Sequence, residues 1–161
     1  STRILDKDTL YSDRQEILED LHTSQEDNYE DNDHPWDAYD LSSYEETWLS
    51  AINGLGAQYD YDFYEITVSS GDQHLQVDVI FTAASGDIDI EVLNDLYYPV
   101  AVNHTMTDNE YIDVIVPTPG TYFIWIYGYS TGNTYNLKWN TTAGTSIPDD
   151  IYEENDDYGT A

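Results

Sequence analysis

The sequence predicts an all-β fold, an antiparallel jelly-roll-like β-sandwich preceded by an acidic linker. Three observations predict it. From Phe63 onward, apolar and polar residues alternate in short runs. Turn residues separate these runs, giving seven or eight strands at a spacing of ~8–12 residues. No stretch between them repeats apolar residues at helical spacing.

Taken in order, residues 1–25 stand apart. They contain Arg3, Lys7 and Arg14, three of the chain's four strong cations, and no Gly or Pro. Leu10, Ile17, Leu18 and Leu21 fall at helical spacing after a Ser12-Asp13 cap, so a linker with a short helix or a partner-docking segment is expected. Residues 26–146 form the expected sandwich unit. Its opening, to residue 62, is dense in Asp, Glu, Asn and Tyr and reads as a liganding loop, with a short strand over 47–53 leading into the turn Asn53-Gly54.

Phe63–Ser69 alternates and turns at Ser70-Gly71-Asp72. Leu75, Val77, Val79 and Phe81 alternate with Gln76, Asp78 and Ile80, and Ser85-Gly86 makes the next turn. In the third strand Ile88, Ile90 and Val92 alternate with Asp87, Asp89 and Glu91, three carboxylates expected on one wet face. Further strands are expected at 97–103, 110–116, 121–129 and 134–140. Along 122–129, Tyr122, Ile124, Ile126 and Gly128 share one face, and Phe123, Trp125, Tyr127 and Tyr129 share the other. Alternation alone leaves open which face is buried.

Charge bounds the function. The chain has 33 acidic and 4 basic residues among 161, and beyond Arg14 the only strong cation is Lys138. Such a surface repels nucleic acid and anionic membranes. Its self-repulsion calls for divalent cations or for a saline, halophilic setting that shortens the screening length. There is no cysteine, which excludes disulfides and thiolate metal sites. No apolar run reaches the ~20 residues of a membrane span. Sixteen Tyr against three Phe suit half-exposed strands and contact surfaces. The triplets Asn103-His104-Thr105 and Asn140-Thr141-Thr142 fit the glycosylation pattern of exported proteins.

Catalysis finds no support. His22, His34, His74 and His104 are scattered, and neither a His-Glu-x-x-His pair nor a Gly-x-Ser-x-Gly elbow occurs. Metal binding fits better. Tyr29-Glu30-Asp31-Asn32-Asp33 offers several hard oxygen ligands within five residues, and Asp60 and Asp62 add two carboxylates just before a strand. Calcium takes six to eight oxygens in irregular geometry, which a flexible acidic loop meeting a strand end supplies. The other reading of the same residues is a solvated acidic loop of a salt-adapted protein.

A second acidic motif closes the chain. Asp149-Asp150-Ile151-Tyr152-Glu153-Glu154-Asn155-Asp156 repeats Glu26–Asp33 with only Asn28/Ile151 differing beyond Asp/Glu exchange. Residues 147–161 therefore read as a tail carrying the opening of a second unit. Glu153, Asn155 and Asp156 are its metal candidates. This suggests a tandem repeat, or an extracellular filament or surface array assembled head-to-tail through its terminal segments.

Four motifs in order, Tyr29-Glu30-x-Asn32-Asp33 with Ala38, Asp60-x-Asp62-Phe63-Tyr64, Gly86-Asp87-Ile88-Asp89-Ile90 and Gly120-Thr121-Tyr122-Phe123-Ile124, resemble the bacterial/archaeal pre-peptidase C-terminal domain. The resemblance extends to the collagen-binding domains of bacterial collagenases. It implies a non-catalytic, calcium-binding accessory or adhesion domain of a secreted or cell-surface protein, next to other domains or subunits of the same protein. By that likeness Glu30, Asn32 and Asp33 match linker calcium ligands and Asp62 a ligand from the first long strand. Asp60 is a neighbour, and Asn28 stands where those domains have a further Glu. Tyr127 and Tyr129 match the collagen-contact tyrosines of those domains, and an extracellular protein or glycan is the expected outside partner.

Overall fold

Strands that alternate apolar and polar side chains bury one face only, so two sheets must close on each other. The computed structural model describes residues 26–145, and within them nine strands do so. They are β1 (Tyr39–Asp40), β2 (Gly56–Gln58), β3 (Asp62–Val68), β4 (His74–Ile80), β5 (Ile88–Leu93), β6 (Pro99–Asn103), β7 (Glu110–Ile115), β8 (Gly120–Gly128) and β9 (Asn133–Thr142). One sheet has the order β1-β3-β8-β5-β6 and the other β2-β9-β4-β7. The helical spacing noted within residues 1–25 and the second acidic motif, with Glu153, Asn155 and Asp156, lie outside the described residues.

Every pair of strands is antiparallel except β1 with β3, where Tyr39 lies opposite Tyr64 and Asp40 opposite Glu65 in parallel register. This short pairing was hidden in the acidic loop, because two residues carry no periodicity. The expected strand over 47–53 is instead a 3-10 turn, Leu49–Ala51. Leu49 and Ile52 sit three residues apart, the spacing that stacks side chains on one side of a 3-10 turn, and Leu49 is fully buried. A short apolar run does not separate strand from helical turn by periodicity. At 97–103 the strand starts only at Pro99. Before it, Asn94 accepts the amides of Leu96 and Tyr98 on its side chain, and Tyr97 takes a left-handed φ of 65°. Proline suits this position, since β6 is an edge strand.

The structure resolves which face of β8 turns inward. Ile124 lies between Tyr64 of β3 and Val92 of β5, and Ile126 between Asp62 and Ile90. These rows continue the apolar faces of both neighbours and meet Leu75, Val77, Val79, Leu137 and Trp139 from the other sheet, all buried. Trp139 also donates its indole N–H to the Leu41 carbonyl at 3.2 Å, tying the linker to the core. Phe123, Trp125 and Tyr127 turn outward. There Phe123 joins Phe63 and Leu93 in a smaller cluster beneath Ala38.

Gly56 is required where it stands. It pairs with Tyr135 across β2 and β9, and a Cβ at residue 56 would lie 2.2 Å from the tyrosine ring. The bare backbone lets the buried Tyr135 ring fold over it. Gly56→Ala is expected to displace that ring and cost ~1–3 kcal/mol, the usual range for overpacking, read as a lower midpoint in chemical denaturation.

Candidate metal centre

The linker reaches the sandwich through backbone and tyrosine anchors before any carboxylate is placed. Phe63 donates its amide to the Asn32 carbonyl at 2.8 Å, and Leu41 to the Glu65 carbonyl at 2.8 Å, so the linker runs beside β3. Tyr29 is buried, packs edge-on against Tyr39 and Tyr64, and places its hydroxyl 2.8 Å from the Leu49 carbonyl and 2.7 Å from that of Gly54. The tyrosine of the Tyr-Glu-x-Asn-Asp motif is thus the anchor that aims the acids following it.

Those acids converge with the start of β3. Glu30, Asp33 and Asp60 each bring one carboxylate oxygen to within 4.8 Å of the others, and so do Asp27, Glu30 and Asp62. Glu30 belongs to both groups, and a third and more open group joins it to Glu26 and Asp31. Asp62 and Asn32 are fully buried. Asp62 spends Oδ2 on the Tyr135 hydroxyl at 2.7 Å, while its Oδ1 has no hydrogen-bond partner among the described residues. Glu30 Oε1, Asn32 Oδ1 and Asp33 Oδ1 are enclosed and unpartnered in the same way. Enclosed carboxylate oxygens without hydrogen-bond partners, in groups that share Glu30, are the type of ligand a hard cation such as calcium takes.

The electrostatics agree with that geometry. Burial pushes the Glu30 carboxyl up to about 8, opposed by the Asn32 amide and reinforced by the charges of Asp27, Glu26 and Asp60. Burial also raises Asp62 well above the usual carboxylate range, despite the Tyr135 hydrogen bond. Asp27 and Asp33 shift upward for the same first reason. In the described residues the one Lys or Arg is Lys138, which lies over the Trp48 ring, 4.8 Å from its centroid.

Of the residues singled out by sequence, Glu30, Asn32, Asp33, Asp60 and Asp62 are brought together here. Asn28 is directed elsewhere: its amide donates to the Asn53 carbonyl at 2.9 Å, and Asn53 returns a bond to the Asn28 carbonyl. Two contributors were missed. Asp27 accepts the Tyr29 and Ala57 amides, at 2.8 and 2.7 Å, and so joins the linker to β2. Its place two residues before the anchoring tyrosine was the available signal, an aspartate in position for an Asx turn. Tyr135 lies 73 positions from Asp62 and is paired with Tyr64 through their hydroxyls at 2.6 Å, and no local pattern announces such a contact.

The outer face of the five-stranded sheet carries an aromatic row. Trp125 stacks on Phe63 with centroids 5.6 Å apart and also meets Tyr61 and Tyr127. Tyr127 is half-buried in that row, and Tyr129 is 74% exposed beyond it. On the other sheet, His74, Asp113 and Thr142 bond across three strands, with Tyr111 and Gln76 also held by Asp113. Both sequon asparagines use their amides, Asn103 on the Tyr111 carbonyl and Asn140 on Gln76.

Residues 60–128 match the family profile described as the bacterial pre-peptidase C-terminal domain. No curated protein matches the chain. Among solved structures, the pre-peptidase C-terminal domain of collagenase from Bacillus anthracis is 17% identical, with 60% of this chain and 90% of that one covered and a TM-score of 0.44. The M60 catalytic domain with the CBM51-1 and CBM51-2 domains from Clostridium perfringens ZmpB is 12% identical, covering 58% of this chain and 11% of that one at a TM-score of 0.39. A GH115 4-O-methyl-alpha-glucuronidase, BtGH115A, with specificity for decorated arabinogalactans, is 11% identical, covering 58% and 14% at a TM-score of 0.33.

A carboxyl raised in the folded state favours folding when protonated. Its contribution is complete below the unfolded value, 4.5 for Glu30, and is lost as pH rises through about 8. In buffer stripped of divalent ions, the thermal midpoint is therefore expected to rise as pH falls across that window. Glu30→Gln should flatten the rise, because the amide has no proton to lose. An equal slope in the variant would show that Glu30 is solvated like any surface carboxylate.

Proposed function

We propose that this chain, which carries a bacterial pre-peptidase C-terminal domain over residues 60–128, works as a non-catalytic extracellular accessory domain in which calcium clamps the acidic linker onto the sandwich. The single observation that carries the reading is the set of enclosed, donor-free oxygens of Glu30, Asn32, Asp33 and Asp62 at the junction of linker and β3. Calcium, when bound, supplies the positive charge that lets these groups stay ionised in a half-buried site.

The protein's own residues do the rest. Tyr29 and Asp27 fix the linker's path, and the Tyr135 hydroxyl orients Asp62 by occupying one of its oxygens. Glu30 bridges the two carboxylate groups and so couples linker position to the sandwich. Because the ligands come from both sides of the joint, ion binding and docking of the linker are one equilibrium. The function served is a stiff connection to adjoining domains or subunits of the same protein. The profile match of residues 60–128 to the bacterial pre-peptidase C-terminal domain supports that setting. The aromatic row around Trp125 and Tyr127, with the exposed Tyr129, is the face suited to a protein fibre or glycan.

Melting in concentrated sodium chloride, which screens general repulsion, tests the clamp. Calcium at about 100 times its dissociation constant should add ~2.7 kcal/mol of stability. Magnesium should add far less, because it demands a strict octahedron and holds its waters. Glu30→Gln with Asp62→Asn should abolish most of the calcium response. Equal responses to calcium and magnesium, or a full response in that double variant, would overturn the clamp.

A further inference from the structure

The third strand was expected to present Asp87, Asp89 and Glu91 to water. Instead, Asp87 and Asp89 are half-buried, and each has one oxygen, Oδ1, that is enclosed without a hydrogen-bond partner. The cause lies at the sheet edge. Strand β6 ends at Asn103, opposite Ile90, so it does not extend alongside Asp87 to Asp89. The connection that follows β6 leads into β7 and brings Glu110 to that place.

Glu110 is the unexpected member. It is only 2% exposed, at the first residue of a strand that pairs with β4 in the opposite sheet. Its Oε1 accepts both the amide and the hydroxyl of Thr105, at 2.8 and 2.7 Å, and Thr107 supports the Thr105 hydroxyl at 2.9 Å. Its Oε2 is buried and has no partner. One oxygen from each of Asp87, Asp89 and Glu110 lies within 4.8 Å of the others. A glutamate whose first oxygen is clamped by two donors, and whose second is held dry beside two aspartates, is arranged for a cation rather than for water.

The backbone around the group is held in place. Asn133 donates its side-chain amide to the carbonyls of Thr82 and Gly86, and Thr131 donates to that of Ser85. Across the pair, β8 comes close: a Cβ on Gly128 would lie 2.3 Å from the Asp87 carbonyl oxygen. The nearby positive influence is His104, which acts weakly on Asp89 against the charges of Asp87 and Glu110. Lys138 is engaged over Trp48.

We infer that Asp87, Asp89 and Glu110 form a second divalent-cation site, separate from the linker centre and joining the edge of β5 to the start of β7. It takes a hard cation of the calcium class, held by carboxylate oxygens with water completing the shell. Strand β8 separates it from the linker centre. Asp62 starts β3 and Asp89 lies in β5, with β8 paired between those two strands, and the two carboxylate groups share no residue. A cation here would bind the two sheets to each other at an open edge, a different task from docking the linker.

Counting bound calcium on the full chain separates the two sites. Equilibrium dialysis against calcium chloride in concentrated sodium chloride would compare the wild type, Asp87→Asn with Asp89→Asn, and Glu30→Gln with Asp62→Asn. The Asp87/Asp89 variant should lose one calcium equivalent, or bind it at least ~10–100-fold more weakly, the loss seen when even an outer-shell partner is removed. It should keep the linker's calcium response. The Glu30/Asp62 variant should keep the strand equivalent. Glu110→Gln, isosteric and still able to accept from Thr105, should reproduce the Asp87/Asp89 result. Unchanged calcium counts in both strand variants, with folding confirmed by their circular dichroism, would overturn the second site whatever the linker variants do. Loss of the strand equivalent without any effect of the linker variants would uphold it and remove the linker clamp instead.

Discussion

Carboxylates from the linker and from the start of β3 crowd one end of the sandwich, and burial there raises Asp27, Glu30, Asp33 and Asp62 together. Water solvates them poorly and no lysine or arginine among the described residues reaches them. The whole joint depends on how that charge is neutralised. Protons do so at low pH; under the proposed clamp a divalent cation would do so at neutral pH, with the oxygens kept in place as its ligands. The choice determines whether the linker is docked by an ion or held only by its tyrosine and backbone contacts.

Tyrosine makes such a joint possible. A phenylalanine at position 29 would fill the same space and leave the Asn53 amide and two loop carbonyls without their hydroxyl partner. Tyr64 and Tyr135 extend the idea into the core, where their paired hydroxyls carry a hydrogen bond to the edge of the acidic group through Asp62. The abundance of Tyr over Phe is therefore partly structural. Rings pack the interior, while their hydroxyls satisfy the polar groups that the acidic linker drags inward.

Both acidic groups sit where a strand begins at an edge or joint of the sandwich. That is where backbone pairing runs out and side chains can gather. An acidic chain with a single strong cation in its body has few salt bridges with which to fasten such places, which is the physical motive for the two proposed cation sites. The two groups differ in reach: one spans linker and sheet, the other spans the two sheets.

Alternation along β3, β4, β5, β7, β8 and β9 was enough to specify a two-layered β fold, because a period of two leaves one face of each strand to be buried. The clustering of the linker acids with Asp62 was equally legible as a candidate site, since Glu30, Asn32 and Asp33 stand together in sequence and Asp60 and Asp62 lie just before a strand. The buried side of β8 was not, as both its faces are aromatic or aliphatic, and only the register with Tyr64, Ile90 and Val92 decided it. Nor was the turn at Leu49–Ala51, where a short apolar run suits either conformation. Tyr135 beside Asp62 and Glu110 beside Asp89 belong to tertiary structure alone. Each contact joins residues far apart in the chain, and burial, which turns an ordinary acid into a candidate ligand, exists only once the two sheets have closed.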